Sequence, residues 1–355
     1  PTQSNAPRTA GRAADVRQGS RPPKSSTFLG RPSARRLPSG APMTAPRQIL
    51  PGAVYLVTRR CAQRQLLLRP GAETNDVFLY VLALASRRFN VRVHAFCVLS
   101  NHFHLVVSDP DARLPAFEQY LDSLVARALN ASLGRWEAFW APSSYSAVSL
   151  ATPEDILDKA AYVLANPVAA GLVRRGREWP GLWSAPEQIG GKAIVAKRPE
   201  TFFRKKGYLP EKAELELTVP PGFDSAEEFR DRLVEALGAL EERAGQEHGG
   251  RFLGRAKVQA QKPTGRPFRD EPRRELNPRV AARDKWKRIE ALSRLVEFLR
   301  SYRDAWRERR AGREGVLFPA GTYLLRVLHD VPCVPCVALT RLMASDINFL
   351  ILDEP

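Results

Sequence analysis

Two short stretches of the 355-residue chain carry residue types that could do chemistry together. The first is His102-Phe103-His104. On a β-strand side chains alternate between faces, so both imidazoles would share one face while Phe103 points into a core. Two imidazoles so placed can chelate one divalent cation. The same spacing also describes a strand with a solvated polar face, and the pair alone does not separate the two readings. The second stretch runs from Tyr162 to Asn166. On a helix, positions i and i+4 share a face, so the phenol and the amide project together. A phenol, with an ordinary pKa of ~10, is a weak nucleophile at neutral pH. To attack a phosphodiester it needs a nearby cation that also polarises the phosphoryl oxygen. The Asn166 amide oxygen could complete a His-His-Asn site and tie that cation to the helix bearing the nucleophile. The plain alternative is a tyrosine that only packs.

The elements that must position these residues follow from apolar spacing. Residues 54–58 read as a strand. Val77, Phe78, Val81, Leu82, Leu84 and Ala85 recur at helical spacing over 75–89. Residues 91–99 and 102–107 read as two strands joined tightly at Ser100-Asn101, the second ending at Asp109-Pro110. Phe117, Leu121, Leu124, Val125 and Leu129 mark a helix that stops near Gly134, and 138–149 reads as a strand or loop. Thr152-Pro153 is an N-cap with a first-turn proline. The helix it opens carries Ile156, Leu157, Ala160, Ala161 and Leu164 and is predicted to end at Asn166-Pro167. Strand, helix, strand, strand, helix, strand, helix predicts an α+β fold of ferredoxin-like type, an antiparallel sheet with helices on one face.

Charge points to a polyanionic partner. The 55 Lys and Arg against 38 Asp and Glu give +17 and a pI near 10.2, a field that attracts nucleic acid. Residues 1–50 hold nine basic side chains and one acid, Asp15, and almost no aliphatic residue over 1–45; this tail is expected to be disordered. Residues 51–185 hold fourteen basic and eleven acidic side chains and form the expected catalytic domain. Residues 186–355 read as a basic, mostly helical extension with linkers. Within it, 186–223 is a loose connector carrying Arg204-Lys205-Lys206. Ser225 and Glu228 cap a helix to about Ala244, 255–278 is a linker, and a long helix spans about 280–309. That helix carries an apolar stripe of Trp286, Ile289, Leu292, Val296, Leu299, Tyr302 and Trp306. Arg59, Arg60 and the Arg204-Lys205-Lys206 cluster are candidate DNA contacts. Cys61, Cys97, Cys333 and Cys336 are too few for a disulfide framework. No apolar run has the length of a membrane span and no secretory leader opens the chain, so a cytoplasmic location is expected.

The stretch from Cys97 to Val107, containing Ser100-Asn101-His102-Phe103-His104-Leu105, resembles the Pro-Asn-His-Phe-His-Leu signature of the HUH-type single-tyrosine transposases. These are the IS200-like and REP-associated tyrosine transposases. Tyr162-Val163-Leu164-Ala165-Asn166-Pro167-Val168-Ala169-Ala170-Gly171-Leu172-Val173 resembles a second block of that family, and Trp179 to Ser184 its following Trp-Ser element. The resemblance covers roughly residues 50–185. It implies an HUH nuclease domain in which His102 and His104 bind Mg²⁺ or Mn²⁺, with Asn166 as the third ligand. Tyr162 would attack a DNA phosphate, leaving a 5′-phosphotyrosine and a free 3′-hydroxyl. The implied substrates are single-stranded DNA ends flanked by hairpins or palindromic repeats; monomer or homodimer is left open. Ser100 stands where the family has proline, and Ala169 where it often has arginine. Neither departure removes a catalytic group.

Two other classes compete. A relaxase or rolling-circle initiator shares the chemistry but pairs its tyrosine with a lysine one turn on, where this chain has Asn166. A non-catalytic basic DNA-binding protein would retain binding without His102, His104 or Tyr162. Tyr120 and Tyr145 are rival nucleophiles, and His94 is expected to be structural. The final residues, Asn348 to Pro355, look like a Walker B strand, but no phosphate-binding loop precedes them.

Overall fold

The computed structural model describes residues 45–142, 145–204, 207–267 and 278–336. Its centre is built from β1 (Ala53–Arg60), α1 (Ala72–Phe89), β2 (Arg92–Leu99), β3 (His102–Asp109), α2 (Leu114–Ser132), β4 (Ser146–Leu150) and α3 (Pro153–Ala169). Aliphatic and aromatic runs drive this part inward: β2 and β3 are each buried at seven of their eight positions. Later come β5 (Ile194–Lys197), β6 (Lys212–Leu215), α4 (Ala226–Glu247), α5 (Arg255–Ala260), β7 (Val280–Ala281), α6 (Lys285–Arg310) and α7 (Leu324–His329).

The main sheet has the order β2-β3-β1-β4-β7. The first four strands are antiparallel to their neighbours, and β7 pairs parallel with β4. The sheet is therefore mixed rather than antiparallel throughout, because a segment far along the chain returns to cover the β4 edge. Helices also lie on both faces, not one. Phe103 points toward α1, where its ring meets Phe78 at 5.1 Å, and Arg59 on the same face reaches Asp122 of α2. His104 points the other way, toward Tyr162 of α3.

Local chemistry sets the helix ends. Thr152 Oγ1 accepts from the Asp155 amide while Asp155 Oδ2 accepts from the Thr152 amide, a reciprocal box that starts α3. Asp109 accepts from the Arg113 and Leu114 amides at 2.8 and 2.7 Å and so starts α2. The expected end of α3 at Asn166-Pro167 is corrected. Pro167 sits inside the last turn, where its missing N–H costs a single bond, and the helix runs to Ala169. Gly171, at φ +68°, turns the chain out, and the Leu172 amide donates back to Pro167 O.

Segments beyond residue 185 pack onto this centre. The expected loose connector 186–223 holds the β5–β6 hairpin, which closes over α1: Tyr80 donates to Pro210 O and its ring meets Phe203 at 5.3 Å. Four-residue strands that each begin or end in lysine give too short an alternation to read against a polar background. The expected linker 255–278 contains α5, whose Val258 is fully buried, and Gly265 O accepts from the Leu66 amide. α4 lies along α3, and His248 just past its end donates through Nε2 to Ala169 O at the α3 terminus. The long helix begins only at Lys285, capped by Asp284; among the described residues its buried positions, Phe298, Tyr302 and Ala305, all lie in its second half.

The four cysteines are free thiols. No helix among the described residues is long and apolar enough to cross a membrane. Residues 1–44, with most of the basic tail, and the Walker B-like terminus lie outside the described residues.

Candidate active site

Register decides which side chains meet. Thr58 on β1 and Cys97 on β2 lie directly opposite His104, and Arg60 and Leu99 lie opposite His102. Directly opposed residues project to the same face. One face of β1–β3 thus presents Thr58, Arg60, His102 and His104 together. The two imidazole rings stand 4.8 Å apart, centroid to centroid, and the Tyr162 ring lies 5.6 Å from that of His104. His104 is buried, whereas Tyr162 is 38% exposed, so the phenol is open to a large substrate.

Each imidazole is held at Nδ1. For His102 the partner is Asn101 Oδ1 at 2.6 Å; an amide oxygen only accepts, so His102 carries its proton on Nδ1 and its lone pair on Nε2. Burial, aided by Arg60 and Arg64, pushes the His102 pKa down to about 3, so the ring is neutral at physiological pH. For His104 the partner is Thr58 Oγ1 at 2.7 Å. A neutral, tautomer-fixed imidazole next to a second imidazole is a donor set that a divalent metal ion can use, with oxygen donors completing its shell. No group of three or more His, Cys, Asp or Glu side chains converges among the described residues, so further ligands would have to be amide, water or phosphate oxygens. The guanidinium groups of Arg60 and Arg64 disfavour a lone cation here but favour the phosphate that would accompany it.

α3 is locked relative to the sheet by residues 179–184. The Val98 amide donates to Leu182 O, the Ser184 amide donates to Phe96 O, and the Trp179 indole donates to Val98 O, which fastens this segment to β2. From the same segment the Trp183 indole donates to Leu164 O of α3 at 2.9 Å, half a turn beyond Tyr162. Lys159, one turn before Tyr162, places its ammonium 5.6 Å from the phenol ring centre.

The expected site residues therefore divide. His102, His104 and Tyr162 are brought together. Asn166 lies one turn beyond Tyr162 and is buried, but no side-chain hydrogen bond joins it to the histidines among the described residues. Arg60 stands across from His102. Arg59 does not belong to this site: alternation sends it to the opposite face, where it pairs with Asp122 at 3.0 Å and lies against the Trp140 ring, and its side chain is only 12% exposed. Arg204 is exposed beside Phe203 on the α1 side of the sheet, away from Tyr162. Lys205 and Lys206 fall outside the described residues.

The rival tyrosines are engaged elsewhere. Tyr145 is buried beneath Arg47, and Tyr120 packs on Phe89 and Arg88. His94 is structural, with one ring nitrogen on Thr218 O and the other on Ser108 Oγ. Sequence reasoning missed Thr58, Arg64 and Lys159. Only Lys159 had a legible signal, its place three residues before Tyr162 on one helix face.

No known protein family matches the chain, and neither does any curated protein. Among solved structures, similarity is found to a REP-associated tyrosine transposase bound to a REP hairpin. The identity is 18% and the TM-score 0.33, over 38% of this chain and 78% of that one. A putative transposase from Deinococcus radiodurans R1 is similar at 17% identity and a TM-score of 0.24, over 32% of this chain and 85% of that one.

Proposed function

We propose that this chain cleaves single-stranded DNA by attack of Tyr162 on a backbone phosphate, acting as an HUH-type transposase or repeat-processing nuclease on hairpin-flanked ends. The observation that carries the reading is the meeting of Tyr162 and His104 at 5.6 Å, with His102 on the same strand face. The strand order β2-β3-β1-β4, laid down as βαββαβ, supports a ferredoxin-like core of the kind the motifs imply.

In this reading His102 and His104 would hold Mg²⁺ or Mn²⁺, with Asn166 as third protein ligand. The bound ion would polarise the phosphoryl oxygen and ease loss of the phenolic proton. Thr58 and Asn101 keep the two rings oriented, and Arg60 and Arg64 draw the phosphate toward the strand face. Tyr162 Oη forms a bond to phosphorus and the P–O3′ bond breaks. The phenolic proton is balanced by protonation of the released 3′-oxygen, leaving a 5′-phosphotyrosine and a 3′-hydroxyl.

The test is a labelled hairpin single strand incubated with the protein and Mn²⁺, followed by a denaturing gel. Wild type is expected to give a covalent protein–DNA band. Tyr162→Phe is expected to bind the same DNA and give none. A band that persists in the Phe variant removes Tyr162 from the role.

A further inference from the structure

Among the described residues one face of the first half of α6 is left uncovered, yet the helix starts beside α3, which bears the candidate nucleophile. Arg283, just before the helix, donates its amide to Asp155 Oδ1 at 2.7 Å and pairs its guanidinium with Asp158 Oδ2 at 3.2 Å. Both acids lie on α3, and Asp158 is one helical turn before Tyr162. From this anchor the first turns of the helix lie in solvent: every residue from 283 to 290 is exposed.

What the exposed half displays is unusual for a solvated helix. Trp286 is 73% exposed, Val296 61%, Leu292 43% and Ile289 42%, and the 3.6-residue repeat puts Ile289, Leu292 and Val296 on one stripe with Trp286 at its edge. Continuing along the same face come Arg300, Arg303 and Arg307, all exposed. The helix as a whole carries nine Lys and Arg against four Asp and Glu. Two of those acids, Glu290 and Asp304, are already paired within the helix, with Arg294 and Arg307.

A second copy of the chain is disfavoured as the occupant, because two such helices would bring like charges together. A polyanion that also offers flat apolar surfaces fits both halves of the face. Single-stranded nucleic acid is that ligand: cationic side chains track its phosphates and an exposed indole stacks on its bases. We infer that this face of α6 binds the single-stranded DNA flank that leads away from Tyr162, with Trp286 stacking on a base and Arg300, Arg303 and Arg307 meeting phosphates. The inference rests on the nuclease reading for the identity of the nucleic acid, but its test needs no cleavage.

The experiment is fluorescence anisotropy of a labelled mixed-sequence single-stranded oligonucleotide with the full chain across a salt series. Trp286→Ala is expected to weaken binding about five- to a hundredfold, the range one base–aromatic stack supplies, and Trp286→Phe to recover most of it. Replacing Arg300, Arg303 and Arg307 by Gln is expected to reduce the slope of log K against log salt by roughly 2, since each phosphate contact contributes roughly 0.7 on a single strand. These side chains are exposed, so circular dichroism is expected to show unchanged helicity. At saturating DNA the Trp286→Ala variant is expected to keep covalent adduct formation, which separates failure here from failure of Tyr162. Unchanged affinity and salt slope in both variants would overturn the inference. So would a wild-type dimer in sedimentation that Leu292→Asp dissolves without altering oligonucleotide binding.

Discussion

The two faces of β1 and β3 are made from alternate residues of the same strands, and they have opposite characters. On one face Thr58, Arg60, His102 and His104 lie beneath α3, polar and within reach of an exposed phenol. On the other, Arg59 and Phe103 lie beneath α1 and α2, where Phe103 is fully buried against Phe78 and Trp140. Arg59 and Arg60 are neighbours in sequence and identical in chemistry. One is committed to an internal ion pair with Asp122 and the other stands across from His102. Alternation, not residue type, assigns an arginine to structure or to a site.

The contrast can be broken most severely on the polar face. His102→Ala and His104→Ala are each expected to abolish adduct formation on hairpin DNA without unfolding the protein, because each removes one of two imidazole donors. EDTA is expected to do the same and added Mn²⁺ to restore the wild type only. Wild-type cleavage by either variant in EDTA would end the metal-dependent reading. The matching lesion on the apolar face is Phe103→Ala. It is expected to cost about 3–5 kcal/mol of stability in denaturant melts, as large aromatic-to-alanine changes in a core do. Where the variant remains folded, its DNA chemistry is expected to survive.

Thr58→Val is a milder change on the polar face. The isosteric side chain keeps the packing but loses the bond to His104 Nδ1. Partners of this kind are worth about 10–100-fold in metal affinity, so the Mn²⁺ concentration for half-maximal adduct formation is expected to rise by about that factor. An unchanged Mn²⁺ requirement would show that Thr58 does not orient the ring.

The smallest effect concerns pH and lies under α2. Glu118 is fully buried with neither carboxylate oxygen hydrogen-bonded, and Asp122 lies one turn on. Burial, reinforced by Asp122, holds the Glu118 pKa well above the usual carboxylate range, against the opposing pull of Arg59 and Arg47. Burial also raises Asp122 to about 7, with Arg59 opposing. The folded state therefore binds protons more tightly than the unfolded chain. This contribution to stability is full below the ordinary carboxylate pKa and is lost as pH rises toward and through about 7. Thermal melts of wild type are expected to fall between pH ~5 and ~8 by more than those of Glu118→Gln, which carries no proton to lose. Equal slopes in the two proteins would mean that Glu118 does not contribute to this pH dependence.

Much of the candidate site's arrangement was legible in the sequence. Alternation placed His102 and His104 on one face, and Thr152-Pro153 opened the helix that carries Tyr162, because both signals are local and depend on a few neighbouring residues. The edge of that helix was misread for the same reason. A proline is a stop signal in isolation, but in a last turn it removes one bond only, and Gly171 supplies the true exit.

The sequence by itself determined the identity and order of the central elements, the pairing of the two imidazoles, and the helix that bears the phenol. Only the tertiary structure decided which arginine faces the two histidines, that Thr58 adjoins His104 and Lys159 adjoins Tyr162, and that strands β5 and β6 pack over α1. It also decided that α6 begins beside α3 and leaves Trp286 in solvent. The physical reason is range. A helix cap or a strand alternation is encoded by residues a few positions apart. Register between strands, by contrast, and the seating of one element on another, depend on side chains tens to hundreds of positions away, whose meeting no local pattern announces.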